Sequence, residues 1–393
     1  MFDRHAGSER AVLVQLEFGK TDSSEDLEEL KRLADSAGTA TVGIVTGKRQ
    51  KPDPALYAGK GKVEEIGTQK AAGDADLVIF NHPLSGAQER NLEKELECRV
   101  IDRITLILDI FAQRARSAEG KLQVELAQLN HMSTRLVRGW SHLDRQRGGG
   151  VGMRGPGETQ LETDRQLLGL RVAKLKERLK KVQTQHNTQR RARVRSGLIN
   201  IAIVGYTNAG KSTLFNRLTA AKAFAADQLF ATLDTTLRKL YIAEAQPIVV
   251  SDTVGFVRDL PHELVAAFRA TLTEAIEADL LLHVVDASSP VRDMQIEAVN
   301  SVLSEIGAGE IPQILVMNKV DALEQPARLE RDDSGSISST WVSARSGDGM
   351  QLIRDALAKR FPKKTERYPD YPETPAEQIE AEQALESALK HPN

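Results

Sequence analysis

The chain has 393 residues, of which 40% are apolar and 27% charged, a composition typical of globular proteins and a length that predicts two or three domains. Its single cysteine, Cys98, excludes a disulfide framework and a cysteine-based metal site, and the net charge of −2 indicates no class of partner. The N-terminus lacks a signal-peptide pattern, and no apolar run approaches the roughly 20 residues of a membrane-spanning helix, so we expect a cytoplasmic protein without a membrane span.

Residues 1–115 alternate between strand and helix patterns. The predicted strands are residues 11–18, 39–46, 76–81 and 99–102, and the predicted helices are residues 25–34, 61–72, a segment opened by Ser85, and 104–114. Such alternation is typical of a small domain with a parallel sheet. The stretch Gly59-Lys60-Gly61-Lys62 is compatible with a phosphate-contacting loop, although it more commonly forms a charged turn before a helix.

Residues 116–196 change to heptad-like spacing of leucine and valine. One apolar stripe comprises Leu122, Leu126, Leu129 and Leu136, and the other comprises Leu161, Leu168, Val172, Leu175, Leu179 and Val182. Two such stripes predict an antiparallel helical hairpin. The predicted tip of this arm is residues 148–157, where six of ten residues are glycine and regular structure is not expected.

The arm is strongly basic. Residues 171–195 hold ten Lys or Arg against one acid, and Arg145, Arg147 and Arg154 flank or enter the glycine-rich tip. A solvated helix face usually mixes both signs, so the excess of one sign favours a polyanionic partner. A basic helix with a pliable Arg/Gly tip suits folded RNA, and the three arginines are the candidate RNA-binding residues.

Residues 197–365 contain the motif that determines the chemistry, Gly205-Tyr206-Thr207-Asn208-Ala209-Gly210-Lys211-Ser212. It matches G-x-x-x-x-G-K-[ST] and lies between a β-branched apolar run and a helical pattern, which is the context that a phosphate-binding P-loop requires. Backbone N–H groups would surround phosphate oxygens, Lys211 would reach the β- and γ-phosphates, and Ser212 would be a Mg²⁺ ligand.

Three further nucleotide-contacting motifs follow in order, each after a strand pattern. They are Asp252-Thr253-Val254-Gly255, Asn318-Lys319-Val320-Asp321 and Ser343-Ala344-Arg345. Asp252 can hold Mg²⁺ through water, and the Gly255 N–H can meet the γ-phosphate. Asp321 can accept from both N1–H and the amine of guanine, which adenine does not offer, while the Ala344 N–H would reach guanine O6. These motifs predict binding of GTP and GDP.

Together the motifs resemble the translation-factor-like class of P-loop GTPases over about 165 residues, from Asn200 to near Lys364. The resemblance implies that Leu229-Phe230-Ala231-Thr232-Leu233-Asp234-Thr235-Thr236 is the switch segment, with residues 230–234 near the nucleotide. In such segments a threonine completes the Mg²⁺ coordination when the γ-phosphate is present. Thr232 is the choice by resemblance, and Thr235 and Thr236 stay alternatives.

Two positions bear on catalysis. Phe256 follows the Asp252–Gly255 motif where a water-orienting Gln often stands, so we expect slow intrinsic hydrolysis and activation by a partner. Asn208 precedes Ala-Gly-Lys-Ser, and in similar potassium-stimulated GTPases an Asn there coordinates K⁺. A turn-stabilising role for Asn208 is an equal alternative. Lys211 and Asn208 are therefore the catalytic candidates.

Longer segments resemble the HflX family of GTPases. They are Asp102-Arg103-Ile104-Thr105-Leu106-Ile107-Leu108-Asp109-Ile110-Phe111, Gln123-Val124-Glu125-Leu126-Ala127, and the tip through Gly157-Glu158-Thr159-Gln160-Leu161-Glu162, in a similar domain order. The resemblance runs from roughly Ala11 to Lys364. It implies a GTPase that binds the large ribosomal subunit and its rRNA through the arm and helps to split or rescue stalled ribosomes.

The predicted fold class is therefore α/β: a P-loop GTPase domain plus a small N-terminal α/β domain with an antiparallel helical hairpin arm. Residues 366–393, with seven acids against two Lys or Arg, are predicted to be a flexible tail. We expect a monomer when the protein is free. Two other functions stay open, an ATP-using RNA remodeller acting through the N-terminal domain and a GTPase whose basic arm binds an acidic protein.

Overall fold

The computed structural model describes residues 9–19, 24–138, 156–195, 197–219, 229–243, 245–258 and 272–363, which form two sheets flanked by helices. The strands are β1 Arg10–Phe18, β2 Ala40–Arg49, β3 Leu77–Phe80, β4 Arg99–Asp102, β5 Ile199–Gly205, β6 Thr236–Leu240, β7 Ile248–Asp252, β8 Leu280–Asp286, β9 Gln313–Asn318, β10 Arg328–Arg331 and β11 Ile337–Trp341. The helices are α1 Ser24–Ala37, α2 Lys60–Gly73, α3 Gly86–Leu96, α4 Arg103–Arg114, α5 Ala118–Arg138, α6 Pro156–Arg195, α7 Lys211–Thr219, α8 Thr273–Ile276, α9 Arg292–Ile306 and α10 Met350–Arg360. A short 3-10 helix covers Val320–Leu323.

The first sheet contains four parallel strands in the order β2-β1-β3-β4, as the alternating pattern predicts. Helix α3 begins after Ser85, whose hydroxyl accepts a hydrogen bond from the Gln88 N–H at 3.2 Å. Helix α4 begins after Asp102, whose carboxylate accepts from the Thr105 N–H at 2.9 Å. Both side chains satisfy helix N–H groups that have no partner within the helix.

The second sheet has seven strands in the order β10-β11-β9-β8-β5-β7-β6. The five central strands are parallel, and the edge strands β10 and β6 are antiparallel to their neighbours. The carboxyl ends of the parallel strands therefore lie at one edge of the sheet, which is where open α/β sheets bind ligands. All four nucleotide motifs follow strands of this parallel set, so the topology brings them to that edge.

Helices α5 and α6 pack through a small apolar cluster of buried Leu126, Leu175 and Leu179. Helix α6 begins at Pro156, so the predicted irregular tip is wrong for its last two residues, 156 and 157. Proline suits the first position of a helix, because an N–H there would have no partner within the helix. Residues 139–155 lie outside the described residues, and the antiparallel hairpin arm stays a prediction.

One buried apolar cluster extends across both sheets. It contains Leu13 and Ile107 from the N-terminal part and Val204 and Phe256 from the second sheet and the loop after β7. The two parts thus share an apolar contact, and the predicted division into domains stays a prediction. Residues 366–393, the predicted tail, lie outside the described residues.

Within the described part of the chain, no helix is both long and apolar enough to cross a bilayer.

Candidate active site

The predicted P-loop is a turn between the central strand β5 and helix α7. Gly205 has φ 144°, and a Cβ there would lie 2.2 Å from the carbonyl oxygen of Val284. Gly210 has φ 95°, and a Cβ there would lie 2.2 Å from the side-chain nitrogen of Asn318. A side chain is excluded at both positions by the close approach of neighbouring atoms, so glycine is required for this loop.

Lys211 is buried under the loop that precedes it. Its ammonium group donates to the Tyr206 carbonyl at 2.8 Å, and only 7% of the residue is exposed. Burial lowers the pKa of Lys211 to about 8, and the nearby Asp252 carboxylate partly opposes this shift. The positive charge therefore lies inside the loop, where anionic oxygens would stabilise it.

Three oxygen-bearing side chains meet beside Lys211. The Ser212 and Thr232 hydroxyls are 2.7 Å apart, and they donate to Asp252 Oδ2 at 2.7 and 3.0 Å. Burial raises the pKa of Asp252, while the Ser212 hydrogen bond and the charge of Lys211 oppose that shift. Among the described residues, the buried Asp252 Oδ1 has no hydrogen-bond partner. This cluster of hydroxyl and carboxylate oxygens, with one carboxylate oxygen to spare, fits a hard cation such as Mg²⁺.

The structure bears on the choice among the three threonines of the switch segment. The Thr232 hydroxyl reaches Ser212 and Asp252, whereas Thr236 is the first residue of β6. This geometry favours Thr232 over Thr236, and Thr235 stays an alternative.

The loop after β7 runs alongside the P-loop. A Cβ on Gly255 would lie 2.9 Å from the Lys211 ammonium nitrogen and 2.7 Å from the Thr207 methyl carbon, so only glycine fits between them. Phe256 pairs with the P-loop through its backbone, since the Thr207 N–H donates to its carbonyl at 2.7 Å. The Phe256 side chain is 1% exposed and lies in the apolar core. Phe256 therefore contacts the P-loop through its backbone, while its ring packs among apolar side chains.

At the other end of the site, Asn318 joins two motifs. Its side-chain nitrogen donates to the Ala209 carbonyl at 2.8 Å, and its side-chain oxygen accepts from the Ala344 N–H at 2.9 Å. Lys319 forms an ion pair with Asp286 at 2.7 Å. The exposed Asp321 follows in the short 3-10 helix. The carboxyl ends of β5, β8 and β9 thus meet here as the sheet topology requires.

Two supporting residues were not predicted from the sequence. Asp286, which pairs with Lys319, ends strand β8, and a polar residue at the carboxyl end of a parallel strand is a signal that could have identified it. Arg217 donates to the carbonyls of Ala344 and Arg345 at 3.1 and 2.6 Å and so supports the Ser343–Arg345 loop. It carries no comparable signal, because its partners are 127 and 128 residues away.

A cavity lies between the P-loop, the switch segment and the loop after β7. Its lining comprises Thr207, Asn208, Gly210, Lys211, Ser212, Thr213, Phe230, Ala231, Thr232, Thr253 and Gly255. All of these except Thr213 are predicted site residues. Thr213 follows the P-loop consensus directly and could have been included on that ground.

Several predicted residues have buried side chains. Ala209, Leu233 and Val254 are buried apolar residues, and the Ser343 side chain is fully buried. Thr253 lines the cavity, and its hydroxyl donates to the buried carbonyl of Ile203 at 2.7 Å. These residues support the loops of the site from the interior.

Two of the predicted residues point toward the N-terminal part instead. The Tyr206 hydroxyl donates to Glu29 of α1 and accepts from the Arg258 N–H at 2.8 Å. The Asp234 carboxylate accepts hydrogen bonds at the start of α5. The remaining predicted residues, Arg145, Arg147 and Arg154, lie outside the described residues.

Three family models match consecutive parts of the chain. Their descriptions are GTP-binding GTPase N-terminal for residues 24–112, GTP-binding GTPase Middle Region for residues 114–193, and 50S ribosome-binding GTPase for residues 200–319.

Relatives align over most of the chain. GTPase HflX of Escherichia coli (strain K12) is 54% identical over 362 residues, covering 92% of this chain and 85% of that protein. GTPase HflX of Caldanaerobacter subterraneus subsp. tengcongensis is 47% identical over 358 residues, covering 91% of this chain and 82% of that protein. Among solved structures, SsGBP in complex with GDP matches with a TM-score of 0.51 and 24% identity, covering 90% of this chain and 98% of that one, a likeness that shows the fold.

Proposed function

The chain belongs to the HflX family of GTPases, and we propose that it is a GTP-hydrolysing switch that binds the large ribosomal subunit and splits or rescues stalled ribosomes. That it is an enzyme hydrolysing GTP follows from the family. The observation that carries the proposed site is the convergence of Lys211, Ser212 and Asp252 below a loop whose glycines are sterically required.

We assign the phosphates of GTP to the cavity above Lys211. The Lys211 ammonium would exchange its bond to the Tyr206 carbonyl for phosphate oxygens, and the P-loop N–H groups would surround them. Ser212 and Thr232 would ligate Mg²⁺ directly, with Asp252 holding it through water, as the spare Asp252 Oδ1 suggests. Mg²⁺, when bound, supplies positive charge to the phosphate oxygens.

Guanine would lie between the Asn318–Asp321 motif and the Ser343–Arg345 loop. Asn318 holds the two motifs together, and Asp321 is exposed and available to a base. A carboxylate that accepts two hydrogen bonds from guanine would be left without them by adenine, so GTP would be preferred over ATP.

A water molecule is the proposed nucleophile, and we propose that a partner assists it. The buried Phe256 ring has no polar group and faces the core, so it cannot orient water. In GTPases that lack an internal water-orienting side chain, a partner supplies positioning or charge. Intrinsic hydrolysis would then be slow.

The large ribosomal subunit and its rRNA are the proposed partner. A family model described as 50S ribosome-binding GTPase matches residues 200–319, and the adjoining helix α6 carries an excess of positive charge over residues 171–195. Phosphate contacts of basic residues dominate the affinity of proteins for RNA. Such a partner implies action in the cytoplasm, and we propose a monomer in the free state.

Sedimentation with ribosomes in the presence of GTP, GDP or a non-hydrolysable GTP analogue tests this function. The proposal expects more protein with the large subunit under GTP or the analogue than under GDP. Replacing Arg145, Arg147 and Arg154 by Ala should reduce that fraction. A control with the same loss of charge replaces the exposed Arg331, Lys359 and Arg360.

Two outcomes would contradict the proposal. Binding that ignores the nucleotide and survives loss of the three arginines would favour a protein-directed GTPase. Hydrolysis of ATP in preference to GTP would favour a remodeller that uses the N-terminal part.

We also propose K⁺ as a cofactor near Asn208. Asn208 lines the cavity with φ 60°, a conformation that asparagine tolerates better than most residues. K⁺ there would add positive charge where the phosphate oxygens gain charge in the transition state. Hydrolysis should be faster in K⁺ than in Na⁺ at equal ionic strength, and Asn208→Ala should remove the difference. Equal rates in both salts would leave Asn208 with the turn-stabilising role.

A further inference from the structure

The switch segment is held by helices of the N-terminal part on both sides of Thr232. Before Thr232, the Leu229 N–H donates to the Ser36 hydroxyl of α1 at 2.9 Å. The Phe230 ring meets Phe111 of α4 edge to face, with 4.6 Å between the ring centroids. After Thr232, Asp234 contacts the start of α5. The segment that carries Thr232 is therefore attached at both ends to a different part of the chain.

Among these contacts of the switch segment, Asp234 forms the most hydrogen bonds. One carboxylate oxygen accepts from the backbone N–H groups of Arg116 and Ser117 at 2.8 and 2.9 Å. The other accepts from the Ser117 hydroxyl. The Ser117 hydroxyl in turn accepts from the Gly120 N–H at 2.8 Å, within the first turn of α5. A negative charge at the start of a 21-residue helix is stabilised by the helix N–H groups and dipole.

Gly120 makes room for this contact. A Cβ at position 120 would lie 2.3 Å from Asp234 Oδ1 and 3.1 Å from the Ser117 hydroxyl oxygen. Glycine inside a helix lowers its stability relative to alanine. Its presence in the first turn of α5 is explained by the carboxylate that occupies the space of a side chain.

We propose that Asp234 is a positioning residue for GTP hydrolysis, which holds Thr232 at Ser212 and Asp252 by anchoring the switch segment to the start of α5. The inference rests on the proposed role of Thr232 at the phosphates. The Asp234 carboxylate is directed to α5, whereas the Thr232 hydroxyl is directed to Ser212 and Asp252. Loss of the anchor would let the segment leave the site and would lower the fraction of protein in which Thr232 is in place.

The test measures kcat, KM and GDP affinity for Asp234→Ala, Asp234→Asn and Gly120→Ala. The proposal expects Asp234→Ala to lower kcat about tenfold while GDP affinity stays within about twofold, because GDP does not need Thr232. Asp234→Asn should fall between the wild type and Asp234→Ala, since it keeps one acceptor oxygen but loses the charge. Gly120→Ala should lower kcat as Asp234→Ala does, because its methyl group occupies the position of the carboxylate.

Two double variants separate anchoring from other roles. Asp234→Ala combined with Gly120→Ala should be no slower than the slower single variant, because both remove the same contact. Asp234→Ala combined with Thr232→Ala should be no slower than Thr232→Ala alone, because Asp234 acts through Thr232. Effects that multiply in either pair would overturn the proposal. If Gly120→Ala does not fold, Ser117→Ala replaces it, since it removes one of the three hydrogen bonds to Asp234.

Ser85→Ala is the matched control for general loss of stability. It also removes a hydroxyl that caps a helix of the N-terminal part, but it lies at α3 and away from the switch segment. Its kcat should equal that of the wild type even when its Tm falls. An equal fall of kcat in Ser85→Ala and Asp234→Ala would reduce Asp234 to a structural role.

Thr232→Ala alone separates the proposed role of Thr232 from the proposed anchoring by Asp234. If it leaves kcat unchanged, the proposed role of Thr232 in the site is wrong. If it lowers kcat and Asp234→Ala does not, the site stands and only the anchor is wrong.

Discussion

Burial shifts the pKa values of the charged residues at the end of the site that we assign to the phosphates. Lys211 and Asp252 lie together in the interior, where the pKa of the lysine is lowered and that of the aspartate is raised. In the absence of anionic and cationic ligands, both shifts favour the neutral form of the side chain. Phosphate and Mg²⁺ would reverse both, so we infer that nucleotide binding is linked to the protonation of this pair.

The linkage predicts a pH dependence of GDP affinity. The pKa of Lys211 without nucleotide is about 8, below its ordinary value of 10.5, and phosphate would raise it. Below pH 8 the amine is charged with or without GDP, so affinity does not depend on its titration. Above pH 8 binding must take up a proton, so affinity should fall by up to about tenfold per pH unit. Titrations with fluorescent GDP measure this change in affinity between pH 7 and 9, a pH range that brackets the pKa of about 8.

Lys211→Arg is the control for this pH dependence. Arginine stays charged over the whole range, so its residual affinity should show only the titration of guanine itself. A wild-type curve parallel to that of Lys211→Arg would contradict the prediction.

We also assign base selection to a single residue, Asp321. Asp321→Asn replaces one acceptor oxygen by a donor, so it should weaken GTP binding and strengthen xanthosine triphosphate binding, by about 1–3 kcal/mol each. Competition between the two nucleotides measures the change. Asp293→Asn, a change of an exposed carboxylate on α9, should leave the preference as it is. Unchanged preference in Asp321→Asn would remove Asp321 from base recognition.

At the scale of elements, the α5–α6 pair depends on few apolar contacts. Leu175 and Leu179 of α6 are buried against Leu126 of α5, and an ion pair joins Arg171 to Glu125 at 2.6 Å. That ion pair is largely exposed and contributes little to stability. The leucines therefore hold the basic helix in place, and with it the charge that we assign to RNA.

Leu175→Ala should lower the stability of the α5–α6 pair by about 2–4 kcal/mol, because it leaves a cavity in that small cluster. Hydrogen exchange of the α6 backbone amides should become faster, while GDP affinity stays unchanged. Leu170→Ala on the same helix is the matched control, since Leu170 is 69% exposed and its loss should change little. Equal exchange in the two variants would show that this cluster does not hold α6.

At the scale of the whole molecule, the N-terminal part and the GTPase part are joined by polar contacts as well as by the shared core. Tyr206 of the P-loop donates to Glu29, which also pairs with Arg103 of α4. Arg258, after β7, pairs with Asp26 at 2.9 Å. These contacts end on the P-loop and on the loop beside it. We therefore expect that a movement of the N-terminal part would shift the loops that we assign to the phosphates.

We predict that large ribosomal subunits raise kcat by at least about tenfold, which needs a barrier reduction of only ~1.4 kcal/mol. Stimulation should decrease with salt, because phosphate contacts compete with counterions. Shortening residues 148–155, which leaves the start of α6 at Pro156 intact, should also reduce it without changing GTP affinity. Full stimulation after that deletion would exclude the loop from docking, and no stimulation of the intact protein would favour the non-ribosomal alternatives.

The sequence alone determined where the contiguous motifs of the proposed site lie and the parallel character of the first sheet. The P-loop and the Asp252–Gly255 and Asn318–Asp321 motifs are contiguous patterns, each placed directly after a strand. Parallel strands bring such ends together by topology, so the site could be predicted from local patterns. The helix start at Ser85 was accessible for the same reason, since capping acts within three residues.

Only the tertiary structure decided which neighbours the side chains of the site residues face. The motif placed Tyr206 and Asp234 near the nucleotide, whereas their side chains contact Glu29 and Ser117, which are 177 and 117 residues away in the chain. Neither contact leaves a periodic or local pattern in the sequence. Both depend on how the N-terminal part and the second sheet pack against each other, and that packing involves residues far apart in the chain. Burial, which shifts the pKa values of Lys211 and Asp252, likewise exists only once the loops around them have folded and removed both side chains from water.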